Sequence, residues 1–244
     1  MLVKNNKNKI SLQKKNIVAK KMSHLPQAEN NFHNMYEFEN NWSIFAPIVL
    51  ERGSTYLDSS VQPILNQIQS WTRNNIGKPI VLLGTSNGGR IVLELSNRLK
   101  NDCPILVISL AGAIGGSGLL SFGKKLGLAK YLVQTPVYEE LTVNSVRVQK
   151  LISDARQRAS IGNICYIFIG SSFDHLLLQS SLAFPNLTDR AEIVKNILLT
   201  RAGHSGIVTL SLPIIKFLLN EWLENGTIIN LNCVNFPGVI EHAK

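Results

Sequence analysis

The sequence predicts an α/β fold, a mostly parallel open sheet flanked by helices. Three observations carry that reading. Short apolar runs alternate with longer amphipathic stretches, as strand–helix–strand units do. The apolar runs show no polar alternation, which suits strands buried on both faces. The chain has 244 residues, 45% hydrophobic and 17% charged, enough for one domain with a sizeable core.

The elements follow in order. Residues 1–30 hold seven lysines against one glutamate, so most of the formal net charge of +9 lies there. This basic segment is expected to be a disordered tail. Without arginines or aromatics it does not suit a nucleic-acid partner, which leaves a weak contact with an anionic membrane surface. Ile64, Leu65, Ile68 and Trp71 stand at helical spacing and predict a helix from Pro63 to Thr72. Ile80-Val81-Leu82-Leu83 predicts a buried strand, and Arg90 to Lys100 a helix with Ile91, Leu95 and Leu99 along one side. A second strand is expected over Pro104 to Leu110, a helix over Leu141 to Ala155, and a third strand over Ile164 to Ile169. Ile197-Leu198-Leu199 reads as a short fourth strand and Leu212 to Leu223 as an apolar helix. Residues 31–225 form the expected domain, and 226–244 a C-terminal tail with no assigned element.

Several classes are excluded at this level. No run of 18 or more apolar residues occurs, so no transmembrane helix is expected. The N-terminal lysines have no apolar stretch behind them and do not read as a secretory signal. Cys103, Cys165 and Cys233 are odd in number and widely spaced, which suits free thiols in a reducing, cytoplasmic setting. No Cys/His cluster has zinc spacing, and no cofactor is implied.

The chemistry concentrates where the first clear strand meets the next helix. Gly84-Thr85-Ser86-Asn87-Gly88-Gly89 matches G-x-S-x-G, with an apolar strand before it and a helix after it. In such a turn a serine is held in a strained conformation, and Gly84 and Gly88 are read as leaving room for it. The helix beyond it directs backbone N–H groups at the reacting centre, and the Asn87 N–H is the expected oxyanion donor. A serine hydroxyl also needs a base. His204 lies between glycines in Arg201-Ala202-Gly203-His204-Ser205-Gly206, after the fourth strand. Asp174 follows the third strand through Gly170-Ser171-Ser172-Phe173, where a carboxylate could orient the imidazole. Asp154 and Asp189 are rival acids, but neither directly follows a strand. His175, beside Asp174, reads as structural or solvent-facing.

On these motifs, over roughly residues 32 to 224, the chain resembles the α/β-hydrolases and, among them, the lipase and esterase branch. Ala111 to Ser117 is also similar to the lipase segment after the strand that follows the nucleophile turn. The resemblance implies a catalytic triad of Ser86, Asp174 and His204, and a small cap or lid over about residues 115–150. Gly118-Leu119-Leu120 and Leu126-Gly127-Leu128 would give that lid an apolar underside. The family's His-Gly motif has only His33-Asn34 as a counterpart here, with Trp42 downstream; Met35 is the expected second oxyanion donor. The implied activity is hydrolysis of carboxylic esters, lipid-like or acyl, with a small-molecule substrate. Two alternatives stand beside it: an acyltransferase or thioesterase with the same triad, and an inactive hydrolase-like binding protein.

Overall fold

The computed structural model describes residue 47 and residues 54–100, 102–126, 136–190, 192–227 and 239–241. The chain divides into two units, Met1–Ile44 and Phe45–Lys244. All elements below belong to the second. The basic segment, His33, Asn34, Met35 and Trp42 lie outside the described residues, as do Gly127, Leu128 and Cys233.

The element order is α1 Leu57–Arg73, β1 Ile80–Thr85, α2 Asn87–Arg98, β2 Ile105–Leu110, α3 Gly118–Lys125, α4 Pro136–Glu140, α5 Val146–Ile161, β3 Ile164–Ser171, a 3₁₀ turn Ser180–Ala183, β4 Val194–Leu199, α6 Gly206–Asn225 and β5 Val239–Glu241. The sheet runs β1-β2-β3-β4-β5, the first four strands parallel and β5 antiparallel on β4. The expected α/β class and the mostly parallel sheet are both present. Every residue of β2 and β3 is buried, so these central strands show no alternation. Each fully buried Ile, Leu or Phe there contributes about 1.5–3 kcal/mol relative to exposure. One core cluster joins Leu57, Val61 and Ile64 of α1, Ile91, Val92, Leu93 and Leu95 of α2, and Leu151 and Ala155 of α5 to the face bearing Ile105, Val107, Tyr166 and Phe168.

Element boundaries differ from the sequence expectation in instructive ways. The first helix begins at Leu57 rather than Pro63, and the last at Gly206 rather than Leu212. Prolines 63 and 213 lie inside these helices. Each leaves unmatched a carbonyl four residues earlier, on Ser59 and Thr209, and both residues are exposed, so water can take the missing donor's place. The helix expected over Leu141 to Ala155 begins at Val146 and runs on to Ile161. Asn144 has φ 65° and breaks the chain direction, and Ser145 Oγ then accepts from Val148 N at 3.2 Å to open α5. The fourth strand starts at Val194, earlier than expected, because Lys195 and Asn196 are buried within it. The C-terminal stretch contributes β5, so the sheet extends past residue 225. By length and composition α6 is apolar enough to cross a membrane, but half of it is buried inside the protein.

Candidate active site

The parallel register brings the carboxyl ends of β1, β3 and β4 to one edge of the sheet. Open α/β sheets bind ligands at that edge. Ser86 follows β1, Asp174 follows β3 and His204 follows β4.

Ser86 sits between β1 and α2 with φ 55° and ψ −124°. A non-glycine residue held there carries strain of about 1–3 kcal/mol, sustained by its surroundings. Its amide donates to Leu110 O at 2.9 Å, and its carbonyl accepts from Gly89 N at 3.0 Å. Its side chain does not cap α2. It lies instead against the imidazole, with Oγ 2.9 Å from His204 Nε2. Asn87 opens α2, at the helix end where the first amides point away from the helix's own carbonyls.

Gly84 and Gly88 do not share the expected steric role. A Cβ on Gly84 would lie 2.1 Å from Gly88 O, so that position admits glycine alone. A Cβ on Gly88 would meet nothing within 4 Å. The second sterically required glycine is Gly89, whose Cβ would lie 2.3 Å from Ser109 Oγ and 2.8 Å from Gly112 Cα. Its role is the close approach of α2 to the β2 turn. The signal was present in the sequence as a third glycine directly after the motif.

His204 is buried and its Nδ1 stands 2.7 Å from Asp174 Oδ2. Asp174 is also buried; its Oδ1 accepts from Leu176 N at 3.0 Å and Leu177 N at 3.1 Å. Burial pushes the Asp174 carboxyl upward. Its bonds to His204, Leu177 and Leu176 outweigh that and hold it below the ordinary carboxylate range. An ionised carboxylate only accepts, so His204 Nδ1 carries the proton and donates. With the single proton of an imidazole on Nδ1, Nε2 is left to accept from the Ser86 hydroxyl. Ser171, at the end of β3, fastens the two loops: its hydroxyl donates to Ala202 O and accepts from Phe173 N at 3.1 Å. Sequence reasoning had given Ser171 no role. The glycines beside His204 are not sterically required: a Cβ on Gly203 or Gly206 would meet nothing within 4 Å.

The remaining candidates lie elsewhere. Asp154 is on α5, bonded to Lys150 Nζ at 2.8 Å, and Asp189 is exposed on the stretch before β4. His175 faces solvent. Cys103 and Cys165 are buried free thiols. Among the described residues no group of three or more His, Cys, Asp or Glu gathers to hold a metal. Over the expected lid, α3 leaves Leu119, Phe122 and Leu126 exposed, at positions three and four apart on one helical face. Ser117 Oγ donates to Leu176 O at 2.8 Å and Gly118 N to Leu177 O at 3.1 Å, so the start of α3 is tied to the Asp174 loop.

No protein-family model matches the chain, and no curated protein matches it in sequence. Solved structures do. One is a carboxylesterase of the ammonia-oxidizing thaumarchaeon Nitrososphaera gargenis, 11% identical, covering 70% of this chain and 73% of that one at TM-score 0.40. Another is the acylaminoacyl peptidase of Pyrococcus horikoshii, 20% identical, covering 75% of this chain but 29% of that one at TM-score 0.43. A third is the phospholipase PlaB of Legionella pneumophila, 17% identical, covering 63% of this chain and 35% of that one at TM-score 0.37. At such identities and overlaps, what the site does is read from its own geometry.

Proposed function

We propose that the chain is a serine hydrolase that cleaves carboxylic esters, with Ser86 as nucleophile, His204 as base and Asp174 as acid. The observation that supports this is the continuous contact from Ser86 Oγ to His204 Nε2, 2.9 Å, and from His204 Nδ1 to Asp174 Oδ2, 2.7 Å. Three side chains from distant parts of the sequence converge with the polarity that deprotonation of a hydroxyl requires.

In this mechanism His204 takes the Ser86 proton as Oγ attacks the ester carbonyl. The oxyanion is held by the Asn87 N–H. His204, now protonated and paired with Asp174, gives the proton to the departing alcohol. Water activated by the same imidazole then attacks the acyl-serine, releasing the acid and restoring the hydroxyl. The substrate class is a lipid-like or acyl ester. The apolar face of α3, next to the Asp174 loop, supports an acyl chain lying along the 115–150 lid.

A fluorophosphonate probe tests the reading. Ser86 is expected to be labelled in the folded wild type and unlabelled in Ser86→Ala. A folded wild type that takes up no probe rejects the hydrolase in favour of a binding protein. In a series of p-nitrophenyl esters, rates are expected to rise with acyl length; flat, negligible rates reject the lipid-like substrate.

A further inference from the structure

Arg90 is the most conspicuous charge outside the Ser86–His204–Asp174 relay. It lies in the first turn of α2, four residues after Ser86, and is 0% exposed. That placement is doubly unfavourable for a cation. Burial strips its hydration, and the helix end beside it carries the positive pole of the macrodipole. Burial lowers its pKa to about 10, against the pull of Glu140 and Glu94, so it stays charged at neutral pH.

Its counter-charges form a cluster joining four helices. Arg90 Nη2 lies 3.7 Å from Glu140 Oε2 at the end of α4, and the same oxygen accepts from Leu57 N at 2.8 Å at the start of α1. Arg147 of α5 bridges Glu94 Oε1 of α2 and Asp58 Oδ1 of α1, each at 3.1 Å, and its Nε lies 3.9 Å from Glu140 Oε1. Arg98 pairs with Glu94 and Asp58. Three arginines thus face three carboxylates.

Stability alone does not explain the arrangement. A buried ion pair is often no better than apolar side chains of the same volume. Arg90 Nε, moreover, is buried and makes no hydrogen bond among the described residues. One bond in the cluster leads toward the nucleophile: Arg90 Nη1 donates to Asn87 Oδ1 at 3.2 Å. Asn87 is the residue next to Ser86, and its backbone N–H is the proposed oxyanion donor.

We propose that Arg90 is a positioning residue, which clamps the Asn87 side chain and so fixes the neighbouring oxyanion-binding N–H, with Glu140 holding the guanidinium in place. The proposal rests on the hydrolase reading of Ser86. It links the far end of the 115–150 segment, through Glu140, to the turn that carries the nucleophile. Oxyanion stabilisation depends on donors being fixed before charge develops, so a loosened Asn87 lowers kcat and leaves KM nearly unchanged.

The test is a double-mutant cycle in the full-length chain, reading kcat and KM on p-nitrophenyl acetate, with thermal melting followed in parallel. Arg90→Met and Asn87→Ala are each expected to lower kcat about tenfold with KM within about twofold. The double variant is expected to lose no more than either single, because both cut one link. A merely structural Arg90 would shift melting without this coupling. Unchanged kcat in Arg90→Met, or losses that multiply in the double variant, overturn the proposal. If Arg90→Met does not fold, Asn87→Ala decides alone, and an unchanged kcat overturns it. A wild type labelled by fluorophosphonate with unaffected variants rejects this role only. An unlabelled, folded wild type rejects the hydrolase reading and this role together.

Discussion

Around Ser86 two of the three glycines are walled in, with a Cβ on Gly84 falling 2.1 Å from Gly88 O and one on Gly89 falling 2.3 Å from Ser109 Oγ. Around His204 they stand in open space, with nothing within 4 Å of a Cβ on Gly203 or Gly206. Both residues are glycine-flanked in the sequence, yet they are positioned by different physics. The serine is fixed by backbone packing and held at φ 55°. The histidine is fixed by hydrogen bonds, from its ring to Asp174 and from Ser171 to Ala202 in its loop. Steric positioning tolerates no added atom; hydrogen-bonded positioning tolerates added atoms but not a lost partner.

The largest expected effect comes from removing the histidine's partner. In Asp174→Asn the side chain keeps its shape, but it no longer selects the tautomer or stabilises the imidazolium. The rate of Ser86 acylation should fall by about 10⁴, as loss of a triad acid does elsewhere. A fall of under tenfold would mean that His204 is held by its loop instead. The same residue has a signature in stability. Its folded-state pKa lies below the ordinary value of 3.8, so its contribution is present above that value and lost as pH falls through the depressed one. Urea unfolding of both proteins at pH 6 and pH 2.5 should show the wild-type advantage shrinking in acid. A constant difference would remove the linkage.

The next effect sharpens the steric half. Gly84→Ala places a methyl against backbone that cannot yield without moving the turn, at a cost of about 3 kcal/mol or more. Gly203→Ala adds the same methyl to open space and should change stability by no more than about 0.5 kcal/mol. Chemical denaturation of the pair is the measurement. Equal losses would erase the contrast between the two sites.

Much of this was legible beforehand because it depends on strong, local signals. Ile80–Leu83, Ile105–Leu110 and Ile164–Ile169 are apolar throughout, and burial on both faces of a parallel sheet leaves no other pattern. Ser86 and Asp174 each stand after such a strand, and His204 after the shorter apolar run Ile197-Leu198-Leu199. What escaped lies in longer-range terms. Lys195 and Asn196 concealed the start of β4, since their burial depends on surrounding structure. β5 has three residues and exists by pairing with β4. Pro63 stood at the expected start of the first helix and Pro213 one residue inside that of the last, because whether water can replace a missing donor depends on which side of the helix is exposed. Ser171 with Ala202, and Arg90 with Glu140, each act through a partner distant in sequence, so neither spacing nor composition marks them.

The smallest effect bears on the motif itself. Gly88 is the second glycine of G-x-S-x-G, and the pattern alone suggests that it cannot be replaced. Its surroundings suggest otherwise. A Cβ there would meet nothing within 4 Å, and its φ is outside the left-handed range. It also lies in the first turn of α2, where glycine loses backbone entropy on folding that alanine does not. The clash near it belongs to Gly84, whose Cβ would strike the Gly88 carbonyl, and that carbonyl is present whatever side chain residue 88 bears. Gly88→Ala should therefore keep Ser86 labelling and raise stability, by up to about 1 kcal/mol on the helix-propensity scale. Loss of labelling with stability retained would place the new methyl in the path of the substrate. Loss of both would show that the turn needs conformational freedom at residue 88 as well as space at residue 84.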